Sequence, residues 1–576
     1  MSNSHSIPPP LPKTRQEGCP SCLWLAWLAS WALVAWGQPA SSPPCLSLLA
    51  AGGAFGLFLW LLAQLSSAKA RFLWGSLWFS SVQLVQLSWF TSHPFLYIWS
   101  VYLGLALLLG WQCGLFCLLV TRDRLGNSSS LLLLPALWVI LEWLRLFFLS
   151  GFSWNPIGLA LTAHPYPLQL ASVAGVYGLS FWLMLTAVAL AQALLAWTRA
   201  KPWGRWAALA LLPYLLGMAL WHHREAGLQE ELASSPDRLW RVLLVQTAFS
   251  ANETSQGLYQ SSFEKWKTIA TLIAAHQDRS IDLIALPEFA VPFPAYGLVY
   301  PYDQVKRLLT DLFGDRASLL PLPLFPLAEA IDQQRQLVVN NAFWAQALAN
   351  CCQAPLVAGL EDIDYLNDQP SCFYSSALYF RPHPPQEPLP YPAAERYAKR
   401  VLVPMGEYIP WKWCSELASS YGVLASFTAG EQPTLFVSDK VAFAPTICYE
   451  ETFGDLVTES KQLGAQALVN LTNDGWYPGS KLVRQHFDHA RLRSVENGVP
   501  LVRACNTGLT CGVNSLGEVC GALQTEDGHC ETLQKALYLE VPLYHYTTLY
   551  SITGDRAIVG LSLALFLLFR RRHRAC

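Results

Sequence analysis

The sequence predicts a polytopic α-helical membrane block of about eight spans joined to one mixed α/β sandwich domain. Three observations predict it. Hydrophobic residues make up 53% of the chain, charged residues only 14%, and there are 24 tryptophans, a balance typical of membrane proteins. The apolar residues are concentrated before about residue 222 and again at "AIVGLSLALFLLF", with ordinary charged sequence between. Within that middle stretch, short all-apolar runs alternate with helix-like ones. A net charge of −2 leaves no electrostatic footprint for nucleic acid.

Taken in chain order, a tail over 1–21 precedes the first apolar segment. A helix needs roughly 20 mostly apolar residues to cross a bilayer. Candidate spans lie at 22–38, 46–66, 71–91, 95–120, 131–150, 168–197 and 206–222, with the last at 557–570. The second and third are close enough to form a re-entrant pair instead. Basic residues fall on alternate loops: Lys13 and Arg15, then Lys69 and Arg71, Arg122 and Arg124, and Arg199, Lys201 and Arg205, while "GQPASSPPC", "TSHP" and "GFSWNPIGLALTAHPYP" carry no Lys or Arg. Positive charge stays inside, so both termini are expected in the cytoplasm and the charged middle block outside. The first segment is expected to be an uncleaved anchor rather than a signal peptide. The domain division is therefore a tail (1–21), a seven-helix membrane domain (22–222), an extracytoplasmic domain (223–556), a final span (557–570) and a basic tail (571–576). In the fifth span Glu142 and Arg145 stand i,i+3 and can pair on one helix face, as a structural lock or a functional group.

The middle block carries "RVLLVQTAF", "DLIALPEF", "APLVAGLE", "VAFAPTIC", "AQALVNLTND" and "PLVRACNTG", which read as strands buried on both faces. Helix-like stretches such as "SSFEKWKTIATLIAAH" and "KLVRQHFDHARLRSVENG" separate some of them. Polar residues stand where the apolar runs stop: Glu288, Cys448, and Asn473 with Asp474. Strand ends are where α/β sheets bind ligands, so three segments are expected to deliver groups to one edge. The block holds nine cysteines, and the sequence leaves their pairing open. "CPSC" at 19–22 is an isolated CxxC beside a span and is taken as chance.

A thiol attacks only as thiolate, which an adjacent base can generate. Glu288 is the candidate base for Cys448. Lys399 and the Tyr449 backbone N–H are candidate donors to an oxyanion. Each residue alone is more often a core or surface group than a catalyst.

The motifs around them change that weighing. "LPEF" at Glu288, "YAKRVLVPMGEYIP" at Lys399 and Glu407, and "PTICYEE" at Cys448 resemble the Glu-Lys-Cys signatures of the nitrilase superfamily, in that chain order. "NLTNDGWYPGS" and "QHFDHARLRSVENGVPLVRACNTGLTCGVNSLGE" look like its later blocks. The order of membrane block, nitrilase-like domain and final span is similar to the superfamily's membrane-embedded branch, the apolipoprotein N-acyltransferases, as are "EWLRLFFLSGFSWNPIG" and "SITGDR".

The resemblance implies an αββα sandwich and an acyl transfer in two steps. The acyl chain of a glycerophospholipid passes to Cys448 as a thioester, then to the α-amino group of a diacylglyceryl-cysteine at a lipoprotein N-terminus. Glu288 is implied as general base, Lys399 with the Tyr449 N–H as oxyanion stabiliser, and Glu407 as the carboxylate that positions Lys399 or assists as a second carboxylate. Tyr449, Glu450 and Trp476 match positions that shape the site. Glu451 has no assigned part. The implied setting is the bacterial inner membrane, with a periplasmic catalytic domain, an acyl-donor phospholipid, a lipoprotein acceptor, no cofactor and a monomeric chain.

This chain departs from the pattern in the long gap between Glu288 and Lys399, which includes "LLPLPLFPLAEAIDQQ" and the Pro-rich "RPHPPQEPLPYP". These are expected as loops over the active-site mouth, with lipid affinity or as passive covers. His486 and His489 lie three apart without a third ligand, so a helical pair is expected rather than a metal site. Two rival readings are a membrane-anchored amidase that hydrolyses small amides with the same three residues, and a transporter or receptor with an inactive domain.

Overall fold

The computed structural model describes residues 20–39, 45–235, 237–250, 258–331, 336–367, 369–411 and 426–572. Lys13 and Arg15, most of the expected N-terminal tail, Cys19, Cys414 and the last four residues of the basic tail lie outside the described residues.

Among the described residues five helices are long and apolar enough to cross a membrane: Cys45–Leu62, Ile98–Cys117, Ser130–Phe147, Ala171–Leu195 and Ala200–Ser234. The expected count of about eight is reduced for physical reasons. Leu23–Ala35 and Arg556–Phe569 are apolar but shorter. Ala68–Gln86 has 19 residues, but Lys69, Arg71, Gln83 and Gln86 lie towards its two ends and lower its hydropathy along its whole length. The seventh segment differs in the other direction. It starts at Ala200 and continues to Ser234 as one helix of 35 residues. At 1.5 Å per residue it is ~50 Å long against a hydrocarbon core of ~30 Å, so its polar end projects from the apolar block.

Small residues set the packing between Ala68–Gln86 and Ile98–Cys117. A Cβ on Gly110 would fall 1.9 Å from Ser80 Oγ, and one on Gly114 2.1 Å from Ser76 Oγ. Such a seam lets helix backbones approach closely where lipid supplies no hydrophobic drive. The third segment therefore has the fourth as its main partner, not the second as a re-entrant hairpin would require. Glu142 and Arg145 also depart from expectation, since no ion pair forms between them among the described residues. Glu142 Oε1 instead accepts from Trp138 Nε1 and from the Ile157 N–H, both at 2.9 Å. Arg145 Nε donates to Gln112 Oε1 at 2.8 Å, and its carbonyl accepts from the Phe152 N–H at 3.0 Å. Both residues thus brace the loop that follows the fifth span.

The α/β domain has two six-stranded sheets. The first runs β15 (Lys535–Pro542), β1 (Leu239–Gln246), β2 (Leu283–Ala285), β6 (Leu356–Leu366), β7 (Gln369–Phe380), β8 (Glu395–Ala398). The second runs β14 (Val519–Ala522), β13 (Cys511–Val513), β12 (Leu501–Cys505), β11 (Ala467–Thr472), β10 (Ala442–Ile447), β9 (Phe436–Val437). In both, the three central strands are parallel: β1, β2, β6 and β10, β11, β12. The period of two divides each strand between layers. Trp240, Val242 and Leu244 of β1 meet Phe443, Ile447 and Val469 between the sheets. Leu243 and Val245 face outward against Trp266 and Trp344 of the helices Leu258–Ala274 and Asn341–Cys352. On the other side Ala444, Leu468 and Leu501 pack under the helices Gly454–Gln462 and Leu482–Asn497 through Val457 and Ala490. The result is the helix–sheet–sheet–helix layering expected.

The gap between Glu288 and Lys399 is largely regular structure. It holds the helix Tyr302–Phe313, a small sheet of β3 (Tyr300–Pro301), β4 (Ala328–Ile331) and β5 (Gln336–Val339), then the helix Asn341–Cys352 and the β6–β7 hairpin. The two apolar Pro-rich stretches meet at their tips, where Phe325 (72% exposed) lies 5.7 Å from Tyr391 between ring centroids.

Candidate active site

Three strand ends meet at one place. Glu288 follows β2, Lys399 follows β8, and Cys448 follows β10. A buried ammonium lies between two carboxylates there: Lys399 Nζ is 2.9 Å from Glu288 Oε1 and 2.7 Å from Glu407 Oε1. All three are buried, Lys399 to 1% exposure. Glu407 is itself fixed, because its Oε2 accepts the Val403 N–H at 2.7 Å. The Cys448 thiol lies close enough to Glu288, Lys399 and Thr472 for each to act on its ionisation.

The electrostatics follow from a site with two acids and one base. Burial pushes the Cys448 thiol well above its usual value, and the Glu288 charge pushes the same way against Lys399. Burial likewise raises the Glu288 carboxyl above 4.5, with Lys399 opposing and Glu407 adding. For Lys399, burial works downward, but Glu288 and Glu407 overcome it and hold the ammonium well above its usual range. Burial thus disfavours the charge on both Cys448 and Glu288, while the Lys399 ammonium between the carboxylates favours it.

The sulfur is presented by a sharp turn. Cys448 has φ +50°, in the left-handed region, and is partly buried. It opens a short 3₁₀ helix, Cys448–Thr452. The Tyr449 N–H lies in the first turn of that helix, where an N–H has no helical acceptor. Glu450, fully buried, connects this elbow to the lysine segment. Its Oε1 accepts from Tyr397 Oη at 2.8 Å and from the N–H groups of Arg400 at 2.6 Å and Val401 at 3.1 Å. Its Oε2 accepts from the Ile447 N–H at 2.8 Å. One carboxylate thus holds both the residue before the nucleophile and the residues after Lys399.

The elbow also sits on the membrane block. Tyr449 Oη donates to the Gly151 carbonyl at 2.8 Å, and Trp154 stacks on the Tyr449 ring at 6.0 Å between centroids. Ser150 Oγ donates to Tyr408 Oη at 2.8 Å. The charge-free loop "GFSWNPIG", braced from below by Glu142 and Arg145, is the seat of the Cys448 elbow. A second contact comes from the segment after Ala68–Gln86, where Trp89 Nε1 donates to Gln485 Oε1 at 3.0 Å. Trp476 stands at the rim, 39% exposed, and stacks on His93 at 5.9 Å.

Sequence reasoning named Asp474 as a strand-end group and His486 as half of a helical pair, but not the contacts that join them to Glu451 and Arg503 behind the elbow. Glu451 Oε1 lies 2.8 Å from Arg503 Nη2 and 3.1 Å from His486 Nε2. His486 Nδ1 lies 2.8 Å from Asp474 Oδ1. The signal available was polar residues inside otherwise apolar strands, such as Arg503 in "PLVRACNTG", since a buried charge requires a partner. The cysteines from Cys45 to Cys530 whose side chains are described are free thiols.

Residues 32–189 match the family model of the apolipoprotein N-acyltransferase N-terminal domain, and residues 241–538 that of carbon-nitrogen hydrolases. The chain is 33% identical to the apolipoprotein N-acyltransferase of Chlamydia caviae, over 94% of this chain and 95% of that one. It is 28% identical to the protein of the same name from Shewanella oneidensis, over 78% of this chain and 76% of that one. Among solved structures, Nit3 of Saccharomyces cerevisiae, a member of the nitrilase superfamily, is similar at 18% identity and a TM-score of 0.33, over 55% of this chain and 93% of that one.

Proposed function

This chain belongs to the apolipoprotein N-acyltransferase family, and from that premise we propose how its residues carry out acyl transfer from a phospholipid to a lipoprotein amine. In the first half-reaction Cys448 Sγ attacks the ester carbonyl of a glycerophospholipid as Glu288 takes the thiol proton. The oxyanion is held by the Tyr449 N–H and by the third N–H of Lys399, the other two being committed to Glu288 and Glu407. The C–O bond breaks, the lysophospholipid oxygen takes the proton from Glu288, and a Cys448 thioester remains. In the second half-reaction the α-amino group of a diacylglyceryl-cysteine attacks that thioester, Glu288 accepts the amine proton and returns it to the leaving thiolate, and the amide is released. Covalent catalysis divides a slow ester-to-amide exchange into two easier steps.

The observation that carries this reading is the seating of the elbow on the membrane block, through Tyr449 on Gly151 and Trp154. A hydrolase of small soluble amides has no use for a nucleophile held at a bilayer, and an inactive receptor has none for the Glu288–Lys399–Glu407 cluster. Lipid substrates and a membrane setting follow from the family. The finer topology we assign is eight segments, counting the two short apolar helices and Ala68–Gln86 as spans. Both termini are then cytoplasmic and the catalytic domain periplasmic, as the loop charges favour. With the long helix included, the membrane domain of 22–222 reaches to Ser234. The exposed pair Phe325 and Tyr391 is assigned to lipid contact, and the chain to a monomer.

Intact mass spectrometry of the purified protein after incubation with phospholipid alone tests the assignment. The expected result is one added acyl chain, sensitive to hydroxylamine, mapped to Cys448 and absent from Cys448→Ala. No adduct, or an adduct on another cysteine, overturns it. Turnover of small amides without an adduct from phospholipid supports the amidase instead.

A further inference from the structure

We propose that His486 is a positioning residue for the nucleophile, an imidazolium that holds the Cys448 peptide carbonyl and is kept charged by Asp474 and Glu451. The proposal rests on the acyl-transfer reading above and adds a residue that touches neither lipid nor sulfur.

His486 lies on the helix Leu482–Asn497 and is 1% exposed. Its Nδ1 is 2.8 Å from Asp474 Oδ1. Its Nε2 is 3.1 Å from the Cys448 carbonyl oxygen and 3.1 Å from Glu451 Oε1. Every one of these neighbours is an acceptor. A neutral imidazole has one N–H and one lone pair, so it would leave one side facing an acceptor without a proton; the cation satisfies both sides.

The groups around the ring agree. Asp474 comes from the 3₁₀ turn after β11, Glu451 from the elbow helix, and Arg503 from β12, bound to the same Glu451 oxygen at 2.8 Å. His489, one turn along the same helix, is held well below its usual value by burial first and then by Arg493 and His486, so it adds no charge. Trp154 covers the ring from the membrane loop at 5.6 Å. With His486 protonated, two anions meet two cations and the buried cluster is neutral. Burial alone would discharge the imidazole, but Asp474 and Glu451 outweigh it, so its pKa lies above 6.5.

The need for such a hold is visible at Cys448. A residue with a side chain stays in the left-handed region only when its surroundings over-determine it. The Cys448 carbonyl receives two donors, His486 Nε2 and Asn470 Nδ2, the latter at 3.3 Å. Fixing that carbonyl fixes the peptide whose N–H, that of Tyr449, is assigned to the oxyanion. The same placement accounts for two sequence features left over: Glu451, and the first histidine of "HFDH".

The test is the rate of Cys448 acylation by a labelled phospholipid, followed from pH 6 to 10 in detergent with full-length wild type, His486→Gln and Asp474→Asn. Wild type is expected to lose rate on an alkaline limb as His486 deprotonates. His486→Gln should acylate ~10- to 100-fold more slowly, the range of one charge-assisted hydrogen bond, and should lack that limb. Asp474→Asn, which keeps the histidine but removes one of its anions, should move the limb toward neutral pH. Acylation by His486→Gln within twofold of wild type, or an unmoved limb in Asp474→Asn, overturns the proposal. Should His486→Gln fail to fold, Asp474→Asn decides alone. Alkylation of Cys448 by iodoacetamide runs in parallel and needs no lipid. Wild type that alkylates but never acylates refutes the acyl-transfer reading; an equal loss of alkylation in His486→Gln then still supports the positioning role, and no loss refutes it.

Discussion

Replacing Glu450 with glutamine changes one oxygen to an amide nitrogen, and the geometry says which contact is lost. The Oε1 position accepts three hydrogen bonds, from Tyr397, Arg400 and Val401, so the glutamine carbonyl is driven to that side. The new NH₂ then faces the Ile447 N–H, donor against donor, where Oε2 had accepted at 2.8 Å. Losing one hydrogen bond to a charged acceptor costs ~1.5–3 kcal/mol, with a similar penalty for the stranded N–H. Part of this is offset because burial already disfavours the Glu450 charge and raises its pKa. A net loss of ~2 kcal/mol is expected, and it falls on the residue directly before Cys448 rather than on the fold at large. The assay is stopped-flow or quenched acylation of Cys448 by labelled phospholipid, with thermal melting read on the same preparations. Acylation should slow ~10- to 100-fold while melting drops by only a few degrees. A Glu450→Gln protein with wild-type acylation and unchanged melting would refute the idea that this carboxylate holds the elbow in place.

Two further outcomes follow from the site. Gly359→Ala should lower activity without touching any catalytic group, because its Cβ would lie 2.5 Å from the Glu288 Cα and from the Pro287 carbonyl. Overpacking of this kind costs ~1–3 kcal/mol and here displaces Glu288, the proposed base, so acylation should fall at least tenfold; a variant as fast as wild type shows that the strand can give way freely. The pH dependence has a definite sign. Glu288 acts as a base only when ionised, and its folded pKa is raised above 4.5, chiefly by burial. Acylation should therefore show an acid limb above pH 4.5, against the alkaline limb set by His486. Stability moves oppositely at this residue. A raised folded pKa gives a contribution present in full below the unfolded value and lost as pH rises through the folded one, so the site is most stable where it is inactive. Glu288→Gln should remove that contribution, and denaturant titrations at pH 4 and pH 7 that change equally in variant and wild type would contradict it.

The parts of the fold legible in sequence are those set by local pattern. "VAFAPTIC" reads as a buried strand ending on a thiol because all its residues are apolar up to Cys448, and β10 ends at Ile447. Hydropathy marked the apolar segments in order. Five of them form helices long and apolar enough to cross a membrane, while Leu23–Ala35 is shorter and Ala68–Gln86 carries polar residues that lower its hydropathy. Hydropathy could not show that the seventh helix runs on past the apolar stretch, since a helix continues for as long as its backbone hydrogen bonds do, here through "HREAGLQEELAS" to Ser234.

What the sequence by itself determined is the order of blocks, the strand ends, and the three residue types in the motifs that the family shares. Each of these is a short-range property, readable in a window of about twenty residues. Only the tertiary structure decided the rest. Glu142 and Arg145, adjacent on one helix, turn to different partners. Trp154 and Gly151, distant in the chain, become the seat of Tyr449. Glu451, Arg503, His486 and Asp474 close into one buried cluster beneath Cys448. Burial is the reason. A charge taken out of water must find its counter-charge wherever the fold brings one within about 3 Å, and no local pattern records which distant residue that will be.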